Sequence, residues 1–186
     1  MKVLLDTNIL AELVKPGGHP GVIDAVRNIP SPDLFLSVLT VGEIVKGIAL
    51  LAPCERKTAL ANWLVKLELQ YSDRILSIDV ETSRIWGEMT ARAQKAGVII
   101  PSSDGLLAAT ALRHGLHVMT RNTRHFEASG AFLIDSMAGG VKIRRGEPGS
   151  SHVSAMIPAR NRVLNSWSPG VPSDLAGRAR GVQRTR

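Results

Sequence analysis

At 186 residues the chain is long enough for one domain with a substantial core, and its 44% hydrophobic and 21% charged residues are ordinary for a globular protein. No apolar run reaches the ~18 residues of a spanning helix, and the single cysteine, Cys54, excludes an internal disulfide or a cysteine-based zinc site and suits a reducing, cytoplasmic setting. The net charge of +7 is confined: residues 1–137 hold 14 basic and 14 acidic side chains, so the whole excess lies in 138–186 and says nothing about partners of the folded part. The N-terminal apolar stretch is broken by Asp6 with no small-residue cleavage pattern after it, so it does not read as a secretory signal.

In chain order, Lys2–Leu5 reads as a buried strand. Ile9–Val14 and Gly21–Ile29 read as short helices separated by the breaker run Pro16-Gly17-Gly18. Leu34–Ser37 is a second strand. Leu39–Leu51 places Leu39, Ile44, Ile48 and Leu51 on a helical face. Cys54–Gln70 is a long amphipathic helix with Leu60, Trp63, Leu64 and Leu67 inward. Ile75–Ile78 is a third strand, and Asp79 caps a helix over Val80–Ala96 that stops at Gly97. Ser102 or Ser103 caps a helix over Leu106–His114, ended by Gly115. His117–Thr120 and Ala131–Ile134 are the fourth and fifth strands. Strands separated by helices imply a parallel sheet covered on both faces, with ligands outside the carboxyl ends of its strands. Residues 138–186 contain 7 Gly, 4 Pro and 6 Ser with no sustained apolar period, which reads as a disordered basic tail.

Three carboxylates stand at strand-to-helix junctions or helix starts: Asp6 in Leu4-Leu5-Asp6-Thr7-Asn8, Glu43 after Ser37-Val38-Leu39-Thr40-Val41-Gly42, and Asp104 after Ser102-Ser103. Each has a purely structural alternative. Asp6 could cap the helix after it, Glu43 could close a capping box with Thr40, and Asp104 could complement a helix dipole. Taken together they point to one cluster. Two carboxylates ~4 Å apart repel by about 4 kcal/mol at an effective dielectric of 20, so three crowded acids raise one another's pKa or require a cation. A hard divalent ion with oxygen ligands removes that cost, and it can polarise a phosphodiester and activate water without a histidine or serine nucleophile. Asp79 also follows a strand, but without chemistry-bearing neighbours it reads as a cap only.

The ordered set Leu-Leu-Asp6-Thr-Asn, Leu-Ser-Val-Leu-Thr-Val-Gly-Glu43, Asp104-Gly-Leu-Leu-Ala-Ala-Thr-Ala and Val-Met-Thr120-Arg121-Asn122 resembles a PIN-domain ribonuclease, of the VapC/FitB-like toxin type found in bacterial toxin–antitoxin pairs. The resemblance covers about residues 1–136. It implies a three-layer αβα sandwich with a five-stranded parallel sheet of order 3-2-1-4-5. It also implies Mg²⁺- or Mn²⁺-dependent cleavage of single-stranded or structured RNA, a homodimer, and inhibition by a small antitoxin, with DNA reached only through that antitoxin. It carries metal-binding roles to Asp6, Glu43 and Asp104, and supporting roles to Thr7, Asn8, Ser37, Thr120 and Asn122. Where the family often has a fourth acid after the fourth strand, this chain has Asn122 and His125, which suits a single ion. Arg121, Arg124 and His125 are candidates for contact with the RNA backbone, since arginine clamps phosphate bidentately. The alternatives are a PIN-like binding module that has lost catalysis and acts through its antitoxin as a co-repressor, and an aspartate-nucleophile phosphatase. The latter needs a second Asp where Asn8 stands.

Overall fold

The computed structural model describes residues 1–136, 142–145 and 155–156. Five strands alternate with helices: β1 (Val3–Leu5), β2 (Leu34–Ser37), β3 (Ile75–Leu76), β4 (His117–Thr120) and β5 (Phe132–Asp135). They pair in parallel in the order 3-2-1-4-5, with β1 central between β2 and β4. The helices are α1 (Thr7–Val14), α2 (Pro20–Arg27), α3 (Val38–Ala49), α4 (Glu55–Gln70), α5 (Val80–Lys95), α6 (Ser102–His114) and the single turn α7 (Thr123–Phe126).

Alternation along the strands divides the core in two. Val3, Leu5, Leu34, Leu36, Met119 and Ile134 face one layer, where they pack with Ile9, Leu10 and Val26 of α1 and α2 and with Leu64 and Leu67 of α4. Leu4, Val118 and Leu133 face the other, against Met89 and Ala93 of α5, Leu107, Ala108 and Ala111 of α6, and Phe126. A strand buried on both faces reads as an unbroken apolar run, and that is why Val3-Leu4-Leu5 is fully apolar. The result is the expected αβα sandwich.

The sheet does not end at β5. Residues Lys142–Arg145 form β6, antiparallel to β5, and Ala155–Met156 form β7, antiparallel to β6, giving seven strands in the order 3-2-1-4-5-6-7. The expectation of disorder from residue 138 onward is therefore wrong for these six residues; the rest of 138–186 lies outside the described residues. Gly, Pro and Ser dominate the tail's composition and mask a short strand pattern in it. Ile143 pairs with Ile134 and packs on the first core cluster, and the Arg145 guanidinium stands 5.7 Å from the centre of the Phe132 ring. The added strand covers an edge that β5 would otherwise present to solvent.

Local expectations differ at two helix starts. α6 begins at Ser102, directly after Pro101, so neither Ser102 nor Ser103 is its cap and Asp104 lies inside the first turn. α3 begins one residue after Ser37, whose hydroxyl accepts the Leu39 N–H at 3.2 Å, so no Thr40–Glu43 capping box forms. The Thr40 hydroxyl instead donates to the Leu5 carbonyl at 3.4 Å and ties α3 to the end of β1. Asp79 does cap α5, accepting the Thr82 N–H at 2.9 Å, and Gly115 ends α6 with a left-handed φ of +63°.

Gly18, between α1 and α2, is required by close approach. A Cβ there would lie 1.9 Å from the Glu12 carbonyl oxygen, a backbone atom that cannot swing away. Gly18→Ala is expected to lower unfolding stability by about 1–3 kcal/mol, as overpacking does, read as a shift of the urea midpoint at unchanged m-value. An unchanged midpoint would show that the loop yields freely.

Candidate active site

Asp6 follows the last residue of the central strand and precedes α1. It occupies the N-cap position, yet its carboxylate makes no capping hydrogen bond. Its side chain is turned to neighbours at the carboxyl rim of the sheet. Asp6 Oδ2 accepts from the Thr120 hydroxyl at 2.6 Å and from Asn8 Nδ2 at 2.5 Å. Thr120 Oγ1 also accepts from Asn8 Nδ2 at 3.1 Å and from the Asn122 N–H at 2.9 Å, which uses its full donor and acceptor capacity. Asn8 Oδ1 in turn accepts the Arg121 N–H at 3.1 Å. The ends of β1 and β4 are thereby stitched together around one carboxylate.

The other two acids approach from opposite layers. Glu43, exposed on α3, accepts from the Thr7 hydroxyl. Asp104, half-buried in the first turn of α6, meets His125 Nδ1 through its Oδ2 at 2.8 Å. Burial is the main cause that pushes the Asp6 carboxyl above the usual carboxylate range, and the charges of Asp104 and Glu43 push it the same way. The hydrogen bonds from Thr120 and the Thr7 N–H pull it back. Asp6 therefore feels both of the other acids.

Residues 3–130 match the profile of the PIN domain family. The chain is a PIN-domain protein. It is 35% identical over 134 residues to VapC ribonuclease Y4jK of Sinorhizobium fredii, spanning 72% of this chain and 96% of that relative. It is 34% identical over 128 residues to Toxin FitB of Neisseria gonorrhoeae, spanning 68% and 92%. The crystal structure of FitAcB from Neisseria gonorrhoeae superposes with a TM-score of 0.71 at 31% identity, spanning 73% of this chain and 99% of that one.

Within the PIN domain, Thr7, Asn8 and Thr120 each hold an acid, while the hydroxyl of Ser37 is spent on capping α3. Asn122 and His125 lie together beside Asp104, with Asn122 Nδ2 2.6 Å from His125 Nδ1. Arg124 is exposed on α7. Arg121 is tethered: its guanidinium pairs with Glu12, a carboxylate only 2% exposed. Glu12 also accepts from Lys15 Nζ at 2.7 Å and from the His19 N–H at 2.8 Å, and these contacts hold its carboxyl below the usual range, led by Lys15. Sequence reasoning missed Glu12. The available signal was a charged residue among apolar neighbours of α1, one turn after Asn8 and on the same face.

The donor set fits a hard divalent cation in its chemistry: three carboxylates with hydroxyl and amide oxygens around them. Among the described residues no lysine or arginine pairs with Asp6, Glu43 or Asp104, and the nearby Arg121 is already neutralised by Glu12. In the present arrangement no three His, Cys, Asp or Glu side chains among the described residues form a group able to hold a metal ion. Glu43 rests instead on Thr7, and Asp104 is engaged by His125 through Oδ2.

A stability measurement follows from Asp6. Its raised pKa means that the ionised form costs stability at pH values above the folded pKa, and that this cost disappears as pH falls through the unfolded value of 3.8. Asp6→Asn is therefore expected to raise the urea midpoint at pH 7 in EDTA, with the gain vanishing below about pH 4. A loss of stability at pH 7 would contradict the charge crowding.

Proposed function

We propose that the chain is a metal-dependent endoribonuclease and the toxin half of a toxin–antitoxin pair. The observation that carries this reading is the buried Asp6 carboxylate, left out of helix capping and crowded by Asp104 and Glu43 with no cationic partner among the described residues. The relative named VapC ribonuclease and the FitB toxin support the reaction class and the biological setting.

Asp6, Glu43 and Asp104 would hold the cation, Mg²⁺ or Mn²⁺, once Glu43 leaves Thr7 and turns inward at the exposed rim. When bound, such an ion supplies charge neutralisation and Lewis acidity toward a phosphodiester. The protein's own groups do the rest. Thr120 and Asn8 fix the orientation of Asp6, so that little conformational freedom is lost when substrate arrives. Arg124, exposed on α7, is placed to meet the RNA backbone, and Arg121 offers the guanidinium nitrogens not engaged by Glu12. These contacts are to phosphate and carry no base specificity.

Exposed apolar side chains along α3 (Val38, Val45 and Leu50 just past its end) leave surface for protein partners. A small antitoxin and a second copy of the chain both suit such a surface, with DNA reached through the antitoxin. Solved relatives of this fold include a toxin–antitoxin complex. A cytoplasmic location fits an RNA substrate, and no helix among the described residues is long and apolar enough to cross a membrane.

A second reading, a PIN-like module that binds its antitoxin without catalysis, is favoured by the absence of a preformed three-acid group among the described residues and by Asn122 and His125 beside Asp104. Activity and calorimetry separate the two. The full chain with Mg²⁺ is expected to cleave RNA, with Asp6→Asn and Asp104→Asn each reducing the rate at least ~100-fold, about 3 kcal/mol, at unchanged circular dichroism. Retained cleavage in both variants would remove the site, and no heat of Mg²⁺ or Mn²⁺ binding at millimolar concentration would favour the module.

A further inference from the structure

A continuous run of hydrogen bonds joins two of the three acids. Asp6 Oδ2 accepts the Thr120 hydroxyl proton, Thr120 Oγ1 accepts the Asn122 N–H, Asn122 Nδ2 lies 2.6 Å from His125 Nδ1, and His125 Nδ1 lies 2.8 Å from Asp104 Oδ2. The His125 N–H also donates to the Asn122 carbonyl at 3.2 Å, which fixes the backbone of α7 beneath the imidazole. His125 is the one link in this run that touches both the loop after β4 and the first turn of α6.

Proton counting assigns its tautomer. Nδ1 cannot accept a hydrogen bond from an amide NH₂ and at the same time face a carboxylate lone pair. Both contacts are compatible with one proton on Nδ1 when that proton is shared, as a three-centre bond, between Asp104 Oδ2 and the oxygen of the Asn122 amide, turned end for end. The imidazole's working atom is then Nδ1.

We propose that His125 is a positioning residue that holds Asp104 through Nδ1–H and so fixes the orientation in which its carboxylate is offered to a divalent cation. The proposal rests on the metal reading given above. It assigns His125 no contact with RNA. Its contribution is that of an outer partner orienting a ligand carboxylate, and loss of such a partner typically weakens metal affinity 10- to 100-fold.

Side-chain length provides the test. An Asn amide nitrogen can occupy the place of imidazole Nδ1, whereas a Gln amide nitrogen reaches the place of Nε2. Mn²⁺ binding to the full chain, measured by calorimetry, is expected to weaken about tenfold or more in His125→Ala and His125→Gln and to stay within about threefold of wild type in His125→Asn. Nitrogen-15 NMR of the metal-free protein near pH 8, where an ordinary imidazole is neutral, is expected to show His125 as the Nδ1–H tautomer. An Nε2–H tautomer, rescue by Gln instead of Asn, or equal affinity in all three variants would each overturn the role and leave the nuclease reading standing. Failure of the wild-type chain to bind Mn²⁺ would overturn both.

Discussion

The rim of the sheet is organised by a carboxylate that the fold desolvates and then surrounds with like charge. Asp6 is 7% exposed, at the end of a strand covered on both faces. A buried acid is normally paired with a cation or spent on a helix cap, because an uncompensated charge in a low-dielectric interior is expensive. Asp6 has neither. Its partners are two neutral side chains, Thr120 and Asn8, which orient it without neutralising it. The comparison with Asp79 is instructive. Both residues follow a strand and precede a helix, but Asp79 caps α5 and pairs with Arg113 at 2.6 Å, so its carboxyl lies below the usual range. One junction is a stable ending, and the other is held in a state that favours arrival of positive charge.

The cations nearby are kept off the acids. Arg121 follows Thr120 directly, and an arginine so close to Asp6 could satisfy it permanently. Glu12 prevents this by taking the guanidinium itself, together with Lys15 and the His19 N–H. The close approach of Gly18 to the Glu12 carbonyl lets the α1–α2 connection fold back over that carboxylate. A residue in the interior of α1 thus shapes the electrostatics at the sheet rim without touching the three acids.

Much of this was legible in the sequence. The strands and the two-sided core follow from unbroken apolar runs alternating with helix-period segments, the sheet order from the motifs' resemblance to PIN domains, and the two short motifs around Asp6 and Thr120 meet because β1 and β4 are neighbours. Other features depend on tertiary contacts that periodicity does not encode. Ser37 carries a hydroxyl suited to supporting an acid, but the start of α3 one residue later claims it as a cap. Arg121 reads as a free phosphate clamp until α1 presents Glu12 to it. The β6 strand hides in a Gly-, Pro- and Ser-rich stretch, and only the open edge of β5 gives Ile143 a place to pack.

The central claim is that three acids from different parts of the chain receive one divalent ion. It is tested most directly by an anomalous-difference map from crystals of the full chain grown with Mn²⁺. A single strong peak bounded by the carboxylates of Asp6, Glu43 and Asp104 is the expected result. A map with no peak there, or with Mn²⁺ bound only at other carboxylates, would contradict the account.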